Sequence, residues 1–436
     1  MPSVTHARVS RMKGGIRRGI RCFAWAVAAS GAVASPSRAQ ERDTLHLADA
    51  VAAARGANPM LRVARLRADA ARARVPQMGA PPDPVVSFRL GNRPLDGFGA
   101  GERMTMNTLQ LQQTLPWPGK LGFAEARAAH LAVAEELAVL DAEAALVRRV
   151  KAVYFELAFE DRALDIMRDT RDLLREFLDV SNTLYAVGTG LQNDVLQAQV
   201  AVATMTEDIA AAEQTRLAMA ARLNALLGRE PERTVGALEL PAAGESLPAV
   251  TDLMALAAER RPALRAARER IRAAESAYEG ARRALYPDLR LGADYAHRPR
   301  FADMLSFSVG VSIPLWAGSR QLPMRDEAFA WHAAAEAAEL ELLNETYARI
   351  AEARAESDRA LRLHDLYATS ILPQARAAVE SSLSAYRVGE VDFMTLVQSE
   401  LTVNRYEIER VRLTAAYHTA VAEIEALLGG ETEVVR

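Results

Sequence analysis

The side chains of this 436-residue chain that could do chemistry are numerous but never gathered into a working set. Beyond the first 39 residues there are six histidines, His46, His130, His297, His332, His364 and His418. No two stand at the H-x-x-H or HExxH spacing that presents a pair of imidazoles to zinc from one helical face. No G-x-S-x-G elbow, P-loop or GxGxxG after a strand is present. The acids, 56 in all, spread along helical stretches, where a carboxylate is ordinarily part of a solvated face. The residues therefore assign no catalytic group, no cofactor and no metal ligands, and the chain is not expected to be an enzyme or to bind nucleic acid.

The elements that carry these residues start with a segment to be set aside. Arg8, Arg11, Lys13, Arg17, Arg18 and Arg21 precede an apolar stretch from Cys22 to Ala34, and Ser37-Arg38-Ala39 places small residues at −3 and −1. That layout predicts a secretory signal peptide over residues 1–39. Its removal takes away seven cations and no acid, shifting the formal charge from −3 to −10. The only cysteine, Cys22, would go with it, leaving no disulfide and no thiolate metal site. The Gly19-Ile20-Arg21 context before Cys22 is not that of a lipid anchor. Beyond Ala34 no run of 18 apolar residues predicts a membrane helix. An exported chain of this kind is periplasmic, secreted or an outer-membrane β-barrel.

The rest of the chain is written twice. Pro59 recurs as Pro262, Pro84 as Pro287, Pro116 as Pro314, Gly188 as Gly389 and Gly228 as Gly429, always in the same order. The offsets of 198 to 203 residues are nearly constant, which marks a tandem duplication. The expected boundaries are a first repeat over 40–228, a linker over 229–250 and a second repeat over 251–436. Each half predicts an opening helix (47–78 and 252–285), two short alternating segments, a very long helix (119–187 and 320–388) and a closing helix. At 1.5 Å per residue each long helix would extend about 100 Å. Apolar residues such as Val147, Val150, Tyr154 and Leu157 follow the 3-4 spacing of helices packed at small crossing angles. The opening and closing helices of each half together match one long helix in length, as two short helices stacked end to end beside it would. Taken alone, these stripes also fit a soluble helical bundle.

Four segments break that simpler reading: Val86–Leu90, Thr108–Gln112, Leu289–Tyr295 and Ser306–Ile313. Apolar and polar side chains alternate along each, and with their flanks each has about the 9–11 residues a tilted strand needs to cross a bilayer. Phe88, Leu109, Leu291 and Val309 would face lipid. Polar loops at Gly91–Arg103 and His297–Met304 join the strands in pairs. Four strands cannot close a barrel, and open edges are not tolerated in lipid, so several chains must contribute. Three would supply twelve strands, an even number within the known range. Pro84, Pro116, Pro118, Pro287, Pro314 and Pro323 would stop strand pairing or fix the chain direction where strand and helix meet. Gly119 and Gly318 would relieve the bend there. Trp117 and Trp316 would form an interfacial belt, or fill the corner between strand and helix.

On three features the chain resembles the TolC-type outer-membrane efflux channels. These are the duplicated helix–hairpin–long helix–helix order, the Gln113-Thr-Leu-Pro-Trp-Pro-Gly-Lys-Leu121 entry, and the paired turns Tyr185-Ala-Val-Gly188 and Tyr386-Arg-Val-Gly389. The resemblance implies a mainly α fold with a small membrane β-barrel: a homotrimer whose twelve-stranded barrel in outer-membrane lipid continues as a long α-helical periplasmic tunnel. It implies a passive exit duct working with a periplasmic adaptor and an inner-membrane pump of the resistance–nodulation–division type. Gly188 and Gly389, with Val187 and Val388, would form the periplasmic tips that meet the adaptor. Asp194 and Tyr386 match a family acid and a family tyrosine, a candidate latch between helix pairs, with Asp392 nearby. The acids expected after the second glycine are absent, those positions being Thr395 and Gln398. The Pro-Trp-Pro-Gly-Lys junction is similar to that of the metal-ion branch, and metal ions stand beside drugs as expected cargo. The competing reading is a periplasmic coiled-coil adaptor or rod, which leaves the four alternating segments without a purpose.

Overall fold

A computed structural model describes residues 44–95, 99 and 102–430. The expected leader over 1–39 with Cys22, residues 96–98, 100 and 101 of the first hairpin loop and residues 431–436 lie outside the described residues. The elements run twice through one order. The first half holds α1 (Leu47–Ala57), α2 (Pro59–Gly79), β1 (Val85–Gly91), β2 (Met106–Leu115), α3 (Lys120–Ala186) and α4 (Gln192–Leu226). The second holds α5 (Val250–Arg260), α6 (Pro262–Arg283), β3 (Asp288–His297), β4 (Met304–Ser312), α7 (Gln321–Leu366), a π-helical turn (Tyr367–Ile371), α8 (Leu372–Arg387) and α9 (Phe393–Leu427).

Each opening helix, expected to be continuous, is broken once. Pro59 and Pro262 each begin a new helix, where a missing N–H costs nothing, and each forces the residue before it out of helical geometry. Asn58 lies at φ −70°, ψ 123° and Arg261 at φ −56°, ψ 118°. Asn58 also caps α2, its Oδ1 accepting from Met60 N at 2.9 Å. Its Nδ2 donates to Leu226 O at 2.9 Å, which fastens the end of α4 to the break between α1 and α2. Gly228 and Gly429 follow the closing helices at φ +66° and +91°. A Cβ on Gly429 would stand 2.9 Å from Pro262 Cδ, so glycine is needed both for the turn and for the approach.

The expected length matching is present. Helix α3 has 67 residues, and α1, α2 and α4, with 11, 21 and 35, together have the same number. All three pack along α3, while α5, α6 and α9 pack along α7 and α8. The second long helix departs from the first in one place. Pro373 cannot donate to Thr369 O, and the ladder widens just before it into the π turn, with Leu372 N reaching Tyr367 O.

The segment between the halves is not a free linker. Val235, Leu238 and Leu247 are buried. Tyr154 OH donates to Leu45 O at 2.8 Å and accepts from Glu239 N at 3.2 Å. Tyr417 OH donates to Glu245 O at 2.9 Å, and Arg354 Nε to Pro248 O at 3.0 Å. Residues 231–249 thus wrap helices of both halves, satisfying backbone groups that an extended strap would otherwise leave to water.

The four strands form one antiparallel sheet in the order β1-β2-β3-β4, not two separate hairpins. The strands have 7, 10, 10 and 9 residues, so β1 is shorter than the alternation predicted.

Candidate functional site

Strand register decides which side chains share a face, because partners across an antiparallel ladder point the same way. One rung reads Phe88, Leu109, Tyr295, Leu305, and the next reads Val86, Leu111, Ala293, Phe307. Leu291 pairs with Val309 on the same side. The alternate rungs are more polar: one reads Ser87, Gln110, Asp294 and Ser306, and its neighbours set Arg89, Thr108, Gln112 and Ser308 beside Val85, Ala296 and Met304. The period-two pattern of all four strands is therefore in phase. Phe88, Leu109, Leu291 and Val309 lie on one face, as expected, and Phe88 and Val309 are 65% and 75% exposed. A coherent apolar face this open is unusual on a folded surface and calls for an occupant. The outer edges of β1 and β4 have no strand partner among the described residues.

Where the sheet meets the helices, the two halves are tied by residues that spacing did not single out as a pair. Asp288 Oδ1 accepts from Lys120 Nζ at 2.7 Å and from Trp117 N at 2.9 Å. Lys120 Nζ also donates to Tyr286 O at 2.8 Å, and Trp117 stacks on Tyr286 with ring centroids 5.4 Å apart. Trp117 thus fills the corner. Trp316, its counterpart, is 77% exposed and is the one available to an interface. Gly119 takes φ +94°, a conformation in which a side chain is strained. Gly318 does not, and nothing would meet a Cβ there, so the expected equivalence of these glycines is corrected. Pro84, Pro116, Pro118, Pro287 and Pro314 lie in the connections between strand and helix, whereas Pro323 lies within the first turn of α7.

At the other end of the long helices, Gly188 and Gly389 adopt φ +80° and +79°. Thr189 N bonds Leu184 O, and Glu390 N bonds Ala385 O, so both halves close with the same wide turn. Val187 and Val388 are exposed beside these glycines. Tyr386, on α8, is buried and lies edge-on to Phe393. Its hydroxyl is 3.4 Å from Asp194 Oδ2, on α4, and 3.3 Å from Ser181 Oγ, on α3. Burial and the Asp194 carboxylate push the phenol above its usual range, against the opposing Ser181 bond. The sequence pairing of Asp194 with Tyr386 is thus present in space. Ser181, one of many small polar residues on α3, carried no signal. Asp392 is not part of this contact: its Oδ1 accepts from Thr395 N at 2.8 Å and Thr395 Oγ1 at 2.7 Å, capping α9. Glu400, further along α9, is buried, and burial with Glu407 nearby holds its carboxyl above the ordinary range, against the pull of Arg376.

What the geometry offers is a greasy sheet face at one end and a hydrogen-bonded pair of turns at the other. Known proteins share the pattern. The family described as outer membrane efflux protein matches residues 50–229 and 253–430. The pyoverdine export outer membrane protein OpmQ of Pseudomonas aeruginosa is 27% identical over 285 residues, 61% of this chain and 57% of that protein. The match therefore spans little more than half of that relative. The fold is that of the outer-membrane channel OprN, with a TM-score of 0.78 at 21% identity, covering 88% of this chain and 90% of that one. It is also that of the outer membrane protein VceC from Vibrio cholerae, with a TM-score of 0.76 at 19% identity, covering 89% and 97%.

Proposed function

Since the chain belongs to the outer membrane efflux protein family, we propose that it is the outer-membrane duct of an export system. Three copies pool their sheets into a twelve-stranded barrel, and the long helices continue it into the periplasm. The observation that carries this reading is the single sheet with one apolar face and two open edges. In lipid, an unpaired edge leaves N–H and C=O groups with no partner, at several kcal/mol each, so only closure makes the sheet tenable. Closure through three copies turns the apolar rungs outward to lipid and the Ser87-Gln110-Asp294-Ser306 rung inward to water. A periplasmic rod gives that segregation no role.

In this reading the repeats over 40–228 and 251–436 supply matching sectors of the wall, joined through residues 229–250. The turns at Gly188 and Gly389, with Val187 and Val388, meet a periplasmic adaptor, which couples the duct to an inner-membrane pump of the resistance–nodulation–division type. The Tyr386–Asp194 contact holds α8 against α4 and α3, and so holds the tip closed until docking rotates the helix pairs. The duct is passive and leaves the choice between metal ions and organic cargo to the pump. Extraction tests the reading: the chain should stay with membranes in high salt and, in detergent, have three times its own mass. Release by salt as a monomer would contradict it. A deletion strain's sensitivity to copper, zinc, cobalt and drugs would then assign the cargo.

A further inference from the structure

The edge helices of the chain carry a second contact face that the fold leaves unused. Helices α2, α3, α6 and α7 adjoin the sheet and pack in that order, each on the next, matching the order of the strands they join. The edges of this helical layer are therefore α2, which leads into β1, and α7, which leaves β4. Helix α2 turns Leu61 and Ala68 inward, where they are buried. Two positions round, about 200° away on the helix, lies a stripe of Val63, Leu66, Ala70 and Ala73, all exposed, with Leu66 at 57%. On α7, Ala330, Ala333, Ala337 and Leu340 form the same kind of stripe, also exposed. Both follow the 3-4-3 spacing of a coiled-coil seam; the α2 stripe has larger Val63 and Leu66 followed by two alanines, and the α7 stripe is alanine except for Leu340.

The charges beside the two stripes are opposite. Helix α2 carries Arg62, Arg65, Arg67, Arg72 and Arg74 against Asp69, a net +4. The first 25 residues of α7 carry Arg325 against Asp326, Glu327, Glu336, Glu339, Glu341 and Glu345, a net −5. Among the described residues, Arg62, Arg67 and Arg74 form no ion pair within the chain, and neither do Glu327 and Glu341 (Glu336 only reaches His332, at 3.9 Å). Arg62, Arg67 and Arg74, like Glu327, Glu336 and Glu341, occupy the positions flanking their seams, which set partner and orientation in coiled coils.

We infer that the exposed α2 stripe of one copy packs antiparallel on the exposed α7 stripe of the next, with Arg62 opposite Glu336 and Arg74 opposite Glu327. The directions agree, since α2 runs toward the sheet and α7 away from it. The levels agree as well. Leu66 lies 13 residues before the sheet-side end of α2 and Ala333 lies 12 after that of α7, about 20 and 18 Å away. Arg62 and Glu336 lie 17 and 15 residues from those ends, and Arg74 and Glu327 lie 5 and 6. The contact continues directly from the open β1 and β4 edges, so the seam that closes the sheet closes the helical wall. This inference rests on the trimer proposed above and identifies which faces meet.

Two double-cysteine variants, Leu66→Cys with Ala333→Cys and Leu66→Cys with Ala337→Cys, each with Cys22→Ser, test it in membranes under mild oxidation. At least one should give linked dimers and trimers on a non-reducing gel. In parallel, Glu336→Arg should shift the detergent-extracted protein toward smaller species, by up to about five-fold in the equilibrium constant of each contact. Adding Arg62→Glu should restore the trimer. Trimers by mass that neither link nor respond to the charge reversal would overturn the seam and leave the trimer standing. A monomer by mass, from the chain carrying only Cys22→Ser, would overturn both.

Discussion

Replacing Tyr386 by Phe isolates the tip contact from everything around it. The ring, whose centroid lies 5.5 Å from that of Phe393, keeps its packing, and only the hydroxyl is lost. Its two partners are 3.3 and 3.4 Å away, at the long end of hydrogen-bond distances, so together they are worth about 1 kcal/mol per chain. No buried group is orphaned by the change. Ser181 Oγ still donates to Phe177 O at 3.0 Å, and the half-exposed Asp194 carboxylate can turn to water. The loss therefore reads as a weakened closed state and not as a desolvated carboxylate. One contact weakened by about 1 kcal/mol shifts closed against open by roughly five-fold, and three opening in concert by roughly 150-fold. Single-channel recording in planar bilayers should show open probability rising within those bounds. Tyr185→Phe, at the exposed repeat counterpart, should leave it unchanged. Equal open probability in wild type and Tyr386→Phe would refute the latch, because no compensating loss is available to hide its effect.

Other perturbations follow from the same geometry. Gly119→Ala should destabilise the strand–helix corner by about 1–2 kcal/mol, read as a lowered unfolding midpoint in detergent, while Gly318→Ala should be silent. Removing the N-cap with Asn58→Ala should cost about 1 kcal/mol and loosen the α4 end, seen as faster amide exchange around Leu226. Glu400 holds its proton more tightly when folded than unfolded, so its stabilising effect is complete below the unfolded carboxylate range and fades as pH rises through the folded pKa. Glu400→Gln should therefore raise the melting temperature at pH 8 and leave it unchanged at pH 4; a gain equal at both would remove the ionisation argument.

Much of this architecture is legible in residue order, because the repeat and the two periodicities are local properties of the chain. Alternation alone placed Phe88, Leu109, Leu291 and Val309 on one sheet face, since a strand has only two sides. The helix breaks at Pro59 and Pro262 were missed, because the apolar periodicity runs through them and masks the stop that each proline imposes. The π turn before Pro373 is different, because a proline signals a disturbed ladder without saying how the ladder absorbs it. Tertiary contacts decide the rest. Trp117 and Trp316 occupy equivalent places in the repeat, but only the first has Tyr286 to stack on and Asp288 to hold its amide. The segment at 231–249 has a linker's composition, and is packed because Tyr154, Tyr417 and Arg354, far away in sequence, offer its backbone partners. Ser181 belongs with these, being defined only by what crosses the gap between α3 and α8.

Which side of the sheet meets lipid decides whether these strands form the wall of a channel. Nitroxide labels at Val309→Cys and Ser308→Cys, adjacent on β4 but on opposite faces, would report this in reconstituted membranes by power-saturation spectroscopy. Bilayer-dissolved oxygen should relax the label at 309 strongly and a water-soluble nickel chelate should relax the one at 308. Equal access of the chelate to both labels would mean that water wets both faces, and that these strands do not form the wall of a membrane channel.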